Sequence, residues 1–202
     1  YATIIHEEAI RLTRLLDDLL DLSVLENGQV QLAIREASLH DLLNRALSAA
    51  GSTRPERAFA IRRNPATEQV TVTTDADRLS QVFINIISNA RKYCDAAEPE
   101  LRIVARRKGQ RMQVDFIDNG AGIPKESEAL IFEKFSRLTD ETRAGGAGLG
   151  LAICREIMQN LGGDITYLPG RGAGFRVSFP IRLDPLPRAA AAATPALAST
   201  QS

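Results

Sequence analysis

Residues Gly145–Ile153 read GGAGLGLAI, and four glycines in six positions (Gly145, Gly146, Gly148, Gly150) run straight into the apolar-periodic segment Leu151–Met158. Glycine permits positive φ and lets a ligand come close to the backbone. A helix starting there offers unpaired N–H groups and the positive end of its dipole, which favours phosphate. A glycine turn that merely packs one helix tightly is the competing reading. Two common phosphate motifs do not apply. No G-x-x-x-x-G-K-[ST] occurs, and the residues before the glycines, Ser136–Ala144, are polar where a dinucleotide fingerprint needs a strand.

With 202 residues, 44% of them hydrophobic, the chain can bury one good core with a helical appendage. Lys plus Arg equal Asp plus Glu at 25 each, so no overall field favours nucleic acid. The basic cluster Arg102–Arg111 reads as a solvated strand face and hairpin. Cys94 and Cys154 lack partner spacing, which points to a reducing compartment and a cytoplasmic location. No apolar run reaches the length of a membrane span.

Residues 1–27 read as one amphipathic helix ended at Gly28, with Ile5, Ala9, Leu12, Leu16 and Leu19 as a seam that Leu15 and Leu22 widen. A single helix cannot bury that seam, which predicts a hairpin dimerising into a four-helix bundle. The helical pattern is already under way at Tyr1, so a piece of a longer protein is expected. Val30, Leu32 and Ile34 alternate as a strand, and Ser38 caps a helix over 39–50. Residues 58–63 and 69–74 read as strands around an Asn64-Pro65 turn, and Asp75 caps a helix reaching Cys94. A hairpin over 101–107 and 112–118, a short helix at 131–135, a helix from Leu151 to Leu161 and strands over 164–168 and 175–181 complete the pattern. From Asp184 onward, Pro, Ala, Ser and Thr predict a disordered tail over 184–202.

Three stretches carry chemistry. In QVFINIISNARKY, Asn85 and Asn89 share one helix face, with Lys92 and Tyr93 a turn later. Paired amides in an apolar helix either bond neighbouring backbone or ligate a hard cation such as Mg²⁺, with Lys92 near phosphate. The strand ending in Asp118-Asn119-Gly120-Ala121-Gly122-Ile123-Pro124 puts a carboxylate beside glycines, where an exocyclic amine and a flat base can approach. The polar stretch 136–144 has the makings of a lid. His6-Glu7 tempts as a nucleophile, but nothing near it in sequence completes a triad or metal set.

In their order and spacing, QVFINIISNARKY, DNGAGIP, IFEKFSRL, GGAGLGLAI and GRGAGF resemble the N, glycine-rich and F boxes of two-component sensor histidine kinases, in the superfamily that includes gyrase-type ATPases. LLDDLLDLSVLENG resembles the end of the second helix of that family's dimerisation hairpin. The resemblance implies an α+β fold, an α/β sandwich with helices layered on one face of a mixed sheet, preceded by a long dimerisation helix. It implies residues 1–27 as the second hairpin helix, with the first absent, and 28–183 as the ATP-binding domain. Asn89, with Asn85 beside it, would ligate Mg²⁺, and Lys92 would reach phosphate. Asp118 would receive the adenine amino group, Tyr93 would pack near the base, and Gly120, Gly122 and Ile123 would shape its pocket. The backbone of Gly146, Gly148, Leu149, Gly150 and Leu151 would hold phosphates, and Phe132 and Phe135 would anchor the lid.

The implied activity is transfer of the ATP γ-phosphoryl group to a histidine on a helix missing from this chain, for relay to the receiver domain of a response regulator. A homodimer is implied, and the full-length protein could be anchored in the inner membrane. The superfamily's hydrolases carry a glutamate four residues before the metal-binding asparagine. Here that residue is Asn85, which takes no proton at neutral pH. His6 lacks the family's acceptor box, so the chain alone is expected not to phosphorylate itself. A catalytically silent ATP-binding dimeric scaffold is the alternative, and a gyrase-like ATPase is disfavoured by Asn85.

Overall fold

Alternation along the strands decides which side of the sheet is covered. The computed structural model describes residues 2–28, 30–51, 58–135, 148–170 and 172–184. In it, β4 (Glu100–Lys108) and β5 (Arg111–Asp118) pair antiparallel around a turn at Gly109, whose φ is 60°. The register sets Ile103 opposite Phe116 and Ala105 opposite Val114. On the other side of β5, Phe116 meets Phe175 and Val114 meets Val177 of β7 (Gly174–Pro180). Period-two side chains put all of these on one face. β6 (Asp164–Leu168) flanks β7, and β2 (Ala60–Arg63) adds parallel to β4, giving the order β2-β4-β5-β7-β6.

Three helices cover that face: α2 (Leu39–Ala49), α3 (Ala76–Tyr93) and α4 (Gly150–Asn160). Phe83 of α3 lies 5.4 Å from the Phe116 ring and 6.5 Å from Phe179, seating the helix on the sheet. The caps read from sequence are in place. Ser38 Oγ accepts from the Asp41 N–H at 3.3 Å, and Asp75 Oδ1 from Arg78 N–H at 3.1 Å. Ser38→Ala is expected to lower stability by about 1 kcal/mol, read as a shifted urea midpoint with unchanged slope. The opposite face is polar. There Asp115 is buried under Arg106 and Arg176, which donate to it at 2.7–2.9 Å. Burial alone would raise its pKa, but the guanidinium bonds outweigh that and hold the carboxyl below its ordinary range.

Four local expectations need correction. The strand read at Val30–Ile34 begins only at Ile34, since β1 (Ile34–Ser38) pairs with β3 (Thr71–Asp75) and Ile34 already sits opposite Asp75, the cap of α3. Before it the chain meets that cap rather than a strand: Ala33 N–H donates to Asp75 Oδ2. Second, β2 and β3 do not pair around Asn64-Pro65. A 3₁₀ turn over Pro65–Glu68 separates them and sends them to different sheets. Third, residues 131–135 form turns, not a helix, because five residues cannot offset helix nucleation.

The fourth concerns α1 (Ala2–Glu26). Its apolar residues divide between two sides instead of forming one seam. Leu22 and Leu25 are buried in the core, with Leu15 and Leu19 packed against it. Asp21 accepts from Arg78 and Gln81 of α3, and Asn160 of α4 donates to the Leu25 carbonyl. Ile5, Leu12, Leu16 and Leu20 face outward and are exposed. No helix among the described residues is long and apolar enough to cross a membrane.

Candidate functional site

The last residue of β5, Asp118, is the fixed point of the site. It is only 7% exposed. Its Oδ1 accepts from the N–H groups of Gly120 (2.9 Å) and Ala173 (3.0 Å), while Oδ2 makes no hydrogen bond among the described residues. Burial raises the Asp118 pKa, opposed by those two N–H bonds and assisted by the charge of Asp95. One oxygen is thus locked and the other left to receive a donor.

Two loops cross at this carboxylate, and glycine is what lets them. Gly172 has φ 87°, and a Cβ there would fall 1.8 Å from the Asp118 carbonyl oxygen. Gly122 has φ 83° and would press a Cβ to 3.0 Å from the Gly172 carbonyl. Around the crossing, Ile123 N–H donates to Tyr167 Oη at 3.2 Å, and Tyr167 packs edge-on against Phe175. Phe132 meets the same Phe175 ring at 6.3 Å in a T-shaped contact.

Asn119 works on the other side. It accepts from Glu100 N–H and donates to the Glu98 carbonyl, tying the loop after α3 to the end of β5. On that loop, Asp95 Oδ1 accepts from Ala121 N–H at 2.8 Å, and a Cβ at Gly120 would lie 2.9 Å from the same oxygen. Asp95, Asn119 and Tyr167 escaped sequence reasoning. Only Asn119 lay inside a motif, and its neighbour Asp118 drew the attention.

Along α3, Val82, Ile86 and Ala90 are buried, and Asn85 and Asn89 stand on the adjoining, part-exposed face as read from spacing. The Asn85 Nδ2 donates to Cys154 Sγ of α4 at 3.6 Å. The Asn89 amide makes no hydrogen bond among the described residues. Complete burial pushes the Cys154 thiol up to about 12, so it stays neutral. α4 begins at Gly150, one residue before the expected start, with Leu149 as its cap residue, whose side chain makes no capping hydrogen bond. Gly148 has φ 71°, Leu149 is buried and Leu151 partly so.

Not every expected residue converges. Lys92 and Tyr93 are exposed and contact each other, Nζ lying 5.0 Å from the ring centroid. Phe135 is exposed with φ 59° and anchors nothing among the described residues. The lid stretch 136–144 and Gly145–Ala147, Gly146 included, lie outside the described residues.

The geometry fits a nucleotide with a hard cation. An open carboxylate oxygen beside a glycine crossing suits a base amine, and the uncapped N-terminus of α4 suits phosphate. Among the described residues no three His, Cys, Asp or Glu side chains gather to hold a metal. Protein ligands for a cation would come from the amides of Asn85 and Asn89, with the remainder from phosphate oxygens and water, a common pattern for Mg²⁺.

Comparison with known proteins identifies the family. The profile of the family described as histidine kinase-, DNA gyrase B-, and HSP90-like ATPase matches residues 74–184. The chain is 34% identical over 186 residues to the sensor protein KdpD of Escherichia coli K12, an alignment covering 91% of this chain but 20% of KdpD. It superposes on full-length ShkA in complex with AMPPNP with TM-score 0.75 and 25% identity, covering 92% of this chain and 40% of that one. Against the histidine kinase AdeS of Acinetobacter baumannii the TM-score is 0.71 at 24% identity, over 89% and 83% of the two chains.

Proposed function

The chain belongs to the histidine kinase-, DNA gyrase B-, and HSP90-like ATPase family, and on that premise we propose that it binds Mg-ATP as the catalytic part of a sensor histidine kinase. The observation that carries this reading is Asp118, with Oδ1 locked by two backbone N–H groups beside the glycine crossing and Oδ2 without a hydrogen bond among the described residues. A charged oxygen held in that way accepts the amino group of adenine.

The other residues then have distinct tasks. Gly120, Gly122 and Ile123 wall the base, and Tyr93 and Lys92 stand at the exposed edge, where Lys92 can swing to phosphate. The backbone of Gly146, Gly148, Leu149, Gly150 and Leu151 receives phosphate oxygens, Phe132 fixes the base of the lid through Phe175, and Phe135 joins it on closure. Asn89 and Asn85 present amide oxygens to Mg²⁺. A bound Mg²⁺ would neutralise charge on the phosphates and hold them for in-line attack. With Asn85 in place of a carboxylate, the site has no base at that position to activate water. It therefore holds ATP for another nucleophile, a histidine on a helix other than α1. His6 is exposed in a run without the acceptor signature and is not that nucleophile.

Residues 1–27 form the second hairpin helix, 28–183 the ATP-binding domain and 184–202 a tail without a part in the chemistry. The exposed residues Ile5, Leu12, Leu16 and Leu20 of α1 support a homodimer through that helix and its hairpin mate. Relay would pass to the receiver domain of a response regulator.

Replacing Asn89 by alanine tests the metal assignment. The variant should fold normally, and its ATP affinity should become the same with Mg²⁺ as with EDTA, measured by titration calorimetry. An unchanged Mg²⁺ response would leave both asparagines as structural residues only.

A further inference from the structure

We propose that Cys154 is a positioning residue for the nucleotide site: it fixes which end of the Asn85 amide faces the cation. The proposal rests on the Mg-ATP reading above and deepens it. Cys154 is fully buried between α3 and α4, four residues beyond Gly150, where the phosphate-facing helix begins. Its Sγ approaches the Val82 carbonyl at 3.9 Å as donor and receives Asn85 Nδ2 at 3.6 Å. Val82 and Asn85 are one turn apart on α3, so the sulfur bridges two successive turns of the neighbouring helix.

The order of donors and acceptors is what matters. A thiol has one hydrogen, and here the Val82 carbonyl takes it. The sulfur then turns lone pairs toward Asn85, and only the NH₂ end of an amide complements them. A flipped amide would set Oδ1 against those lone pairs. The bridge therefore holds Nδ2 inward and leaves Oδ1 as the end free to ligate. It also ties Asn85 to the helix whose N-terminus faces phosphate, so cation and phosphate ligands share one rigid support. Each sulfur bond is weak, yet the amide has only two flat orientations to choose between, and a small bias decides the choice.

Cys154→Val stays apolar, adds one methyl group and removes the bridge, and Cys154→Ser keeps a donor and an acceptor. Two measurements separate this proposal from the functional reading beneath it. The first uses no nucleotide: the Asn85 side-chain NH₂ resonances, in the uniformly ¹⁵N-labelled protein, should shift in Cys154→Val and stay near wild type in Cys154→Ser. The second is calorimetry with ATP. Cys154→Val should lose about three- to tenfold in affinity with Mg²⁺ and almost nothing with EDTA, while Cys154→Ser retains the Mg²⁺ gain. Equal loss with and without Mg²⁺ would make Cys154 mere packing, and unmoved Asn85 resonances in Cys154→Val would overturn the bridge itself. Failure of the wild type to bind Mg-ATP would overturn the functional reading, and the resonance measurement would still decide the contact.

Discussion

Arg63→Met is expected to cost about 3–5 kcal/mol of folding free energy, because it strands a carboxylate that has no solvent. Glu68 is 0% exposed. Arg63, itself 12% exposed, donates Nε to Glu68 Oε1 at 3.0 Å and Nη2 to Oε2, and its Nη1 reaches Asn44 Oδ1 at 2.8 Å. His40 Nδ1 is the other partner of Glu68, at 2.9 Å. The cluster fastens the edge strand β2 and the 3₁₀ turn after it to α2. With methionine at 63, the buried carboxylate keeps only His40 as a side-chain partner among the described residues and draws water inward. The double variant Arg63→Met/Glu68→Gln removes the charge along with its partner and should recover most of the loss. Urea titrations of wild type, single and double variants measure this. A single variant within about 1 kcal/mol of wild type, or a double no better than the single, would contradict a charge-driven role. These residues touch none of the candidate ATP ligands, so nucleotide affinity of the folded variant should be unchanged.

The second large effect is on binding rather than stability. Asp118→Asn should weaken ATP by about 10- to 150-fold, the equivalent of one charge-assisted hydrogen bond of about 1.5–3 kcal/mol. The fold should not suffer. Asparagine keeps an Oδ1 for Gly120 and Ala173, whose bonds to Asp118 are 2.9 and 3.0 Å. The sign of the linkage runs the same way. The Asp118 pKa is raised by burial in the folded protein, so ionisation favours the unfolded chain. Above its folded pKa this group subtracts from stability, and the deficit disappears as pH falls below its unfolded value. Removing the charge should therefore keep or raise Tm near neutral pH while ATP affinity falls. A variant that loses Tm and affinity together would mark Asp118 as a loop strut and not a base ligand.

Local elements were legible where one chemical signal decided them. Ser38 and Asp75 announced their helices because a short side-chain acceptor before an apolar period has little else to do. Alternation gave β4 and β5 their faces. Pairing was not legible: nothing in residues 60–63 says that they join β4 in parallel instead of turning back at Pro65, since the partner strand lies about forty residues on in sequence and meets them only in the folded chain. The α1 seam misled for a related reason. Leu22 and Leu25 obey the same spacing as an intermolecular seam, and only contact with α4 assigns them inward. In the site, Asp118, Asn85 and Asn89 stood out as polar residues at costly positions. Asp95, Tyr167 and Cys154 did not, because each acts through a contact between segments far apart in sequence.

Discrimination between adenine and guanine bears most directly on the assignment of the site. GTP presents a carbonyl oxygen where ATP presents an amino group, and on the proposed reading Oδ2 of Asp118, unbonded among the described residues, would attract the amine and repel the carbonyl. Titration calorimetry of the wild-type protein with Mg-ATP and with Mg-GTP reads the difference without any phosphoryl acceptor. ATP should bind at least about tenfold tighter than GTP, the worth of one such bond at its lower limit. Equal affinity for the two nucleotides, or no binding of either, would contradict a base pocket built on Asp118.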